Sequence, residues 1–454
     1  MLARKLIMAA GNAGGGGSYY IATLGDSGGT GSTQGMSQGH LSNGDFILFN
    51  SQWNTSGDYA LLSIDGDGEI NWGLFFNPTS SQTNWTRGLT VDSSDNIYLP
   101  ASNVNTGATG SAIYKINSSG STQAVYNINT LPVSTQYSGV SLQDGTNFYC
   151  VYPGGAGDMS ASFSEPLSSF SGSPTWVLEV PGSAVKISGA RVDGSYVTYA
   201  QLYGSGTGSL PGVFQINKST GALSLNKLFY NDRTYKILSA SRGILPVDSS
   251  GNYYFSWYQS GDAIYIDRVC VTKLNSSLSS LTWSKELDYT SLDSAMQDGF
   301  IVVDSNDNVH SVNKLKTGTN DFGILITTFN TSGTFQSELL VSHSYSGALN
   351  LFEGEISIDD NDDIYISYAR YDRDILGFVR EFMKLPSDYS SLGGTYGNWT
   401  VTYSTSSTVS ITDITSVSSI SGTTFGSNTA SQTFSTGTDA SSTLTTATTS
   451  VTTL

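Results

Sequence analysis

Length, composition and charge exclude several classes of protein for this 454-residue chain. A net charge of −17 excludes a nucleic-acid binder that relies on a basic surface, and a protein that docks on an anionic membrane. An aromatic content of 11% is too high for a disordered chain, and two cysteines are too few for a disulfide scaffold. No run of 18 consecutive apolar residues predicts a membrane-spanning helix.

The N-terminus combines a short basic and apolar run, residues 1–10, with a glycine-rich stretch that ends at Ser18. The apolar run is shorter than the apolar region of a secretory signal peptide. We predict that residues 1–18 are an anchor on a flexible tether that docks into another protein. A disordered tail is the alternative.

One motif recurs along most of the chain: a glycine, an apolar strand, an aspartate, a polar turn and a second apolar strand. It is clearest at 88–99, 243–255, 299–310 and 354–366, with weaker copies elsewhere. Seven copies at a spacing of 50 to 56 residues predict seven repeated structural units. The copies start near these residues: 35, 88, 139, 189, 243, 299 and 354.

Each unit continues with a third and a fourth short strand, rich in β-branched and aromatic residues and bounded by Gly, Asn, Asp or Ser. The sequence therefore predicts an all-β fold, a seven-bladed β-propeller of four-stranded antiparallel blades over residues 19–402. Residues 19–24 have the position of a fourth strand that precedes the first unit, so we expect them to close the ring. Residues 398–403 have the same appearance and compete for that role.

Composition changes at residue 403. Of the 52 residues in 403–454, 31 are Ser or Thr, and only Asp413 and Asp439 are charged. We expect an extended C-terminal segment that is ordered by partner proteins, with autonomous disorder as the alternative.

Acidic turns are the first candidate for chemistry, since alternating Asp and Asn oxygens can bind Ca²⁺. They occur at 65–69, 92–96, 304–308 and 359–363, but none has the length and terminal glutamate of a calcium-binding loop. Because Asp, Asn and Gly also suit tight hairpin turns and recur at one place in the repeat, we predict a structural role.

Other reactive residues are sparse, so the sequence predicts no catalytic, cofactor-binding or metal-binding residues and no enzyme. His40, His310 and His343 are isolated and form no zinc motif. Cys150 and Cys270 lie in different repeats, where we expect buried thiols. The chain contains no nucleophile elbow, phosphate loop or dinucleotide motif in a suitable context.

Aromatic side chains offer a second type of candidate, because Tyr and Trp suit recognition surfaces. Trp257, Tyr258, Tyr368 and Tyr371 lie at the ends of second strands, where a binding rim could form. Packing between blades is the interpretation that we favour for all four.

The repeat at 247–252 resembles the bacterial and phage β-propeller repeat family. The whole chain, with its N-terminal start, glycine tether, propeller repeats and Ser/Thr-rich end, resembles virion proteins of tailed phages from aquatic bacteria. This resemblance implies a non-enzymatic virion protein of the tail or capsid. It would be anchored to other virion proteins through both termini, present in symmetric copies, and free to meet a host receptor or glycan. A secreted carbohydrate- or protein-binding propeller and a propeller enzyme are the two alternatives.

Overall fold

The computed structural model describes most of the repeat region and parts of the C-terminal segment. The predicted anchor and tether at residues 1–18 lie outside the described residues. The structure describes residues 19–25, 36–50, 59–76, 88–102, 111–128, 140–152, 160–167, 174–180, 187–203, 210–230, 236–239, 244–260, 268–289, 299–316, 321–344, 351–372, 377–414, 418–421, 434–436, 441–443 and 448–454.

The described residues contain 35 β-strands and no helix, and the strands form seven antiparallel sheets. We number the sheets by repeat. The first four are sheet 1 with β2 (Met36–His40), β3 (Phe46–Asn50), β4 (Tyr59–Ile64), β5 (Ile70–Phe76) and β34 (Ser441–Thr443); sheet 2 with β6 (Thr90–Val91), β7 (Ile97–Ser102), β8 (Ser111–Ile116), β9 (Thr122–Ile128) and β33 (Phe434–Thr436); sheet 3 with β10 (Val140–Gln143), β11 (Asn147–Tyr152), β12 (Ser160–Pro166) and β13 (Trp176–Val180); and sheet 4 with β14 (Ile187–Asp193), β15 (Tyr196–Tyr203), β16 (Leu210–Asn217), β17 (Leu223–Tyr230) and β32 (Ser418–Ser421).

The remaining three sheets follow the same plan. They are sheet 5 with β18 (Lys236–Ser239), β19 (Tyr253–Ser260), β20 (Arg268–Leu274), β21 (Leu281–Asp288) and β31 (Ser410–Asp413); sheet 6 with β22 (Gly299–Val303), β23 (Val309–Lys316), β24 (Asp321–Phe329), β25 (Phe335–Ser344), β30 (Trp399–Ser404) and β29 (Gly394–Tyr396); and sheet 7 with β26 (Leu351–Ile358), β27 (Asp363–Asp372), β28 (Gly377–Pro386), β1 (Tyr20–Gly25) and β35 (Thr448–Thr453).

The sheets are arranged as a β-propeller, so the prediction of an all-β propeller built from four-stranded antiparallel units is confirmed. Consecutive sheets contact each other through their inner strands, and sheet 7 contacts sheet 1 through β26 and β2. The apolar cores lie in the seams between sheets. One cluster, for example, joins Val312 of sheet 6 to Ile356 of sheet 7. Each sheet thus buries both faces against its neighbours, which a single four-stranded unit cannot do alone.

The first and the last described strands both lie in sheet 7. Strand β1 pairs with β28 and completes the four strands of the last repeat, which is the position that the sequence predicts for residues 19–24. The competing stretch at 398–403 corresponds to β30, which pairs with β25 at the outside of sheet 6. The N-terminal strand therefore completes the sheet of the last repeat.

The C-terminal segment wraps round the outside of the propeller. We call β30 to β35 the C-terminal strap. Each of its strands pairs with the outermost strand of one sheet, in the order sheet 6, 5, 4, 2, 1 and 7. Within the described residues, sheet 3 has no strap strand. The described strands of this segment pair with this protein's own sheets, and ordering by partner proteins stays a prediction.

At three of the turns between a third and a fourth strand, a tryptophan of the neighbouring sheet packs on the turn, an arrangement that we call the clasp. The indole nitrogen of Trp176 in β13 donates to the Lys218 carbonyl of sheet 4 at 2.8 Å. The same ring covers Gly221, whose φ of +70° lies in the left-handed region. Trp72 and Trp283 repeat this arrangement in other seams.

The clasp leaves no room for a side chain at its glycine. A Cβ added at Gly221 would lie 2.6 Å from Cγ of Trp176, and the left-handed conformation adds its own cost. We expect Gly221→Ala to lower the free energy of unfolding by about 2 kcal/mol in urea titrations. The matched control is Gly44→Ala, which has φ +89° but nothing within 4 Å of the added Cβ. Equal losses for both variants would contradict the clasp.

In the part of the chain that the structure describes, no helix has the length and apolarity needed to cross a membrane. Cys150 and Cys270 are buried in sheets 3 and 5, as the sequence predicts.

Candidate functional site in the seam between sheets 7 and 1

The acidic turns predicted as a structural feature stabilise their own backbone. In the turn after β6, the Asp92 carboxylate accepts the backbone N–H groups of Ser94 and Asn96, both at 2.9 Å. Asp65, Asp248, Asp304 and Asp359 accept equivalent pairs from their own turns. Because these bonds occupy one oxygen of each carboxylate, the turns have the structural role that the sequence indicates.

The second oxygen of Asp92, Asp248 and Asp304 has a partner as well. The hydroxyl of Tyr98 donates to Asp92 at 3.1 Å, and that of Tyr254 donates to Asp248 at 2.9 Å. In sheet 6, His310 takes this place and lies 3.2 Å from Asp304.

His310 also approaches the Thr328 hydroxyl at 3.1 Å, so the group looks like a catalytic triad. All three residues are buried, and His310 stands where other repeats have a structural tyrosine. We assign the group a structural role. Within the described residues, no group of three or more His, Cys, Asp or Glu side chains could hold a metal ion.

The predicted aromatic rim does not form from the residues whose burial is known. Trp257 is 2% exposed and donates to the Thr272 hydroxyl, and Tyr368 is fully buried. The side chains of Tyr258 and Tyr371 lie outside the described set. Trp257 and Tyr368 therefore pack between strands, in agreement with the interpretation favoured from the sequence.

The inner end of the seam between sheets 7 and 1 is polar, whereas that of the seam between sheets 6 and 7 is apolar. In the seam between sheets 6 and 7, four apolar residues meet there: Val302, Val312, Ile356 and Ile358. Counting from the first residue of each turn, the equivalent positions in the seam between sheets 7 and 1 are all polar. They are Ser357, Ser367, Gln38 and His40, which we call the polar seam.

The polar seam is one connected chain of hydrogen bonds. Ser367 donates to the amide oxygen of Gln38 at 2.8 Å. The amide nitrogen of Gln38 donates to Oγ of Ser357 at 2.8 Å and to the Tyr365 carbonyl at 3.0 Å. Ser357 Oγ lies 2.7 Å from Nε2 of His40. Because Ser357 already accepts from Gln38, its own hydrogen is free to point at His40.

Burial keeps His40 neutral. It lowers the pKa of this imidazole from 6.5 to about 4, against the opposing effect of the carboxylates of Asp359 and Asp360. The ring also packs edge-on against Tyr365, with centroids 4.6 Å apart. A neutral imidazole can accept the Ser357 proton at Nε2, while its Nδ1 is buried without a hydrogen-bond partner. His40 and Ser357 are both partly exposed, unlike the buried His310 group.

The lowered pKa of His40 predicts a dependence of stability on pH. Between pH 6.5 and 4 the unfolded chain binds a proton that the folded chain does not, so stability falls as the pH is lowered through this window. The expected slope that His40 contributes is about 1.4 kcal/mol per pH unit at most. Urea titrations of the wild type and of His40→Val over this pH range measure the slope. Valine is the residue found at this position in sheets 2 and 6. Identical slopes would contradict the prediction.

Comparison with known proteins gives a likeness of fold. No family model and no curated protein matches the sequence. Similar solved structures include a PL25 ulvan lyase with 12% identity and a TM-score of 0.46, covering 76% of this chain and 91% of that one. The polysaccharide lyase Uly1 has 9% identity and a TM-score of 0.44, with coverages of 78% and 90%. A subtype N10 neuraminidase-like protein of A/little yellow-shouldered bat/Guatemala/060/2010 has 9% identity and a TM-score of 0.37, with coverages of 61% and 91%.

These matches correct the function expected from the sequence. Three polysaccharide lyase structures are among them, so the prediction of a non-enzymatic virion protein is wrong and is not retained. The predicted virion location and virion partners stay predictions. A likeness at this level assigns neither a substrate nor a catalytic residue to this chain, so the site must be argued from its own geometry.

Proposed function

We propose that this chain is a propeller enzyme that acts on acylated carbohydrate, with Ser357 as nucleophile and His40 as general base. The observation that carries the proposal is the 2.7 Å contact between Ser357 Oγ and Nε2 of a neutral, partly exposed histidine. A nucleophilic hydroxyl needs such a base within hydrogen-bond distance. The chain of donors from Ser367 through Gln38 holds the hydroxyl in position.

The proposed reaction is the hydrolysis of an ester. Oγ of Ser357 attacks the ester carbonyl carbon while its proton passes to Nε2 of His40, and a bond forms between Oγ and the acyl carbon. The protonated His40 then gives that proton to the departing sugar alcohol. Water deprotonated by His40 releases the acid from Ser357 and restores the free hydroxyl. The steps consume one water and release one alcohol and one acid.

Charge favours an uncharged substrate. Asp359 and Asp360 act electrostatically on His40, and the chain carries a net charge of −17. These carboxylates repel a polyuronate or a sulfated chain at the site. Polysaccharide is the class named for three similar structures, and we adopt it as the class to test, in its neutral acylated form.

A substrate panel tests the proposal. Purified protein is incubated with acetylated neutral polysaccharides, their deacetylated forms and polyuronates, and released acid and unsaturated sugar are measured separately. Release of acetate from the acetylated chains alone is the expected result. Unsaturated products from polyuronates would show that the protein cleaves by elimination and is not an esterase. Binding of a polysaccharide without any product would show that the protein is a carbohydrate-binding module and not an enzyme.

The polar seam exists only if the first and last repeats meet in one ring. We propose that the seven sheets are the seven blades of a single closed propeller. The support is that inner strands of consecutive sheets contact each other throughout and that β26 contacts β2. Electron-microscopy class averages viewed along the axis are expected to show seven lobes, and six lobes would contradict this count.

A further inference from the structure

The strands of the C-terminal strap follow the outside of the propeller from sheet to sheet, joined by short connections. Its strands visit the sheets in the reverse of chain order, from sheet 6 to sheet 7, and so travel almost once round the ring. Only four residues connect β31 to β32, β33 to β34, and β34 to β35. Four extended residues span at most about 14 Å. Adjacent sheets joined by these connections therefore cannot move far apart while the strap strands stay paired.

The strap is held by side chains as well as by backbone pairing. Glu338, 1% exposed in β25, accepts from the Ser407 hydroxyl at 2.6 Å and from the backbone N–H of Thr408 at 2.6 Å. Lys285 of sheet 5 pairs with Asp413. The strap also buries apolar residues in the seam cores, namely Trp399, Val401, Val409, Ile414 and Val451.

The last strand of the strap lies at the seam that contains His40 and Ser357. Strand β35 pairs with β1 over its full length, and the backbone N–H of Leu454 donates to the Tyr19 carbonyl at 2.9 Å. Val451 is 8% exposed and belongs to the core cluster of this seam. A Cβ at Gly68 of sheet 1 would lie 3.1 Å from Cγ2 of Val451 and 3.1 Å from the ring of Tyr20. Val451 thus fills the space between sheet 7 and sheet 1.

We infer that the C-terminal strap is a belt that holds the ring closed, and that Val451 is its latch on the seam between sheets 7 and 1. Opening this seam requires β35 to release sheet 1, because Val451 packs on both sides. The strap also covers the outer edges of six sheets, which would otherwise present unpaired backbone groups to a second copy of the chain. The inference rests on the proposed closed ring and is independent of the reaction proposed for the site.

Hydrogen exchange on the full chain, followed by mass spectrometry, tests the latch. Val451→Asp places a charge in the seam core, whereas the control Thr453→Asp places it on an exposed residue of the same strand. We expect Val451→Asp to raise amide exchange at least tenfold in β35 and β1, and also in the inner strands β2 and β26. The inner strands β10 and β14, on the far side of the ring, are expected to keep wild-type exchange.

Two results would overturn the inference. One is a rise confined to β35, which would make the strap a passive covering. The other is an equal rise in Val451→Asp and Thr453→Asp, which would reflect charge on the strand and not the latch. If Val451→Asp does not fold, Val451→Ala removes the packing without adding charge. It is then expected to raise exchange about threefold in the same four strands.

Discussion

Ser357→Ala is expected to lower kcat/KM on the best acylated carbohydrate about 1,000-fold, with little change in the free energy of unfolding. The variant removes the hydroxyl that His40 deprotonates and leaves the imidazole in place. Nothing else in the polar seam can take over, since Ser367 is buried and its hydroxyl donates to Gln38. Steady-state kinetics and urea titrations of the same preparations measure both quantities.

The matched control is Ser37→Ala. Ser37 lies on the same inner strand as His40, is fully buried, and accepts the backbone N–H of Leu89 at 2.6 Å on the opposite side of sheet 1. Its loss is expected to cost stability and to change kcat/KM less than threefold. If both variants lower turnover equally, Ser357 acts through the fold and not through chemistry.

Lys273→Met is expected to lower the free energy of unfolding by about 4 kcal/mol. The Lys273 ammonium lies 2.8 Å from Asp248, and both side chains are almost fully buried. It also donates to the carbonyl and the hydroxyl of Thr331 in the next sheet, at 2.9 and 2.7 Å. Removing the cation leaves a buried carboxylate without its opposite charge, which costs more than the pair contributes when intact.

The dependence of stability on pH offers a second test of the ion pair between Asp248 and Lys273. Burial raises the pKa of Asp248, but hydrogen bonds from Lys273 and Asn252 outweigh burial and bring the pKa to about 2. The stabilisation from Asp248 is therefore present above pH 3.8 and is lost as the pH falls towards 2. In Lys273→Met the loss is expected to begin at a higher pH, because the carboxylate protonates more readily.

Two further variants separate the ion pair from packing. Lys227→Met removes a partly exposed ammonium that bonds to the Ser279 carbonyl, and a loss below about 1 kcal/mol is expected. Adding Asp248→Asn to Lys273→Met removes the stranded charge and is expected to recover part of the lost stability. A double variant less stable than Lys273→Met would contradict the electrostatic explanation.

The repeat predicted most of the fold because its signal is local and strong. Each copy places apolar strands on both sides of a turn that starts with Asp, as at Asp92 and Asp304, and the side chain of that Asp builds the turn. The strap escaped this reasoning because its pairing uses backbone groups and few apolar anchors. Strand β35, for example, has Val451 among five Ser and Thr residues. The sequence of such a strand does not predict which strand it pairs with.

The candidate site was missed for a different reason. His40 and Ser357 are 317 residues apart, and each looks isolated in the sequence. A signal was nevertheless present in the repeats. Gln38 and His40 occupy positions that are Leu89 and Val91 in the second copy, so two polar residues replace two apolar ones. Aligning the copies by their turns finds these exceptions, but only the contact between sheets 7 and 1 brings His40 to Ser357.

Covalent labelling of Ser357 tests the central claim most directly, because it needs no knowledge of the natural substrate. A fluorophosphonate reacts with a serine that a neighbouring base activates: the serine oxygen bonds to phosphorus, fluoride leaves, and the proton passes to the base. Peptide mass spectrometry is expected to find one labelled residue, Ser357, and to find no label there in His40→Ala. Unlabelled Ser357 in the wild type, or equal labelling in His40→Ala, would contradict the assignment of Ser357 and His40 as a reactive pair.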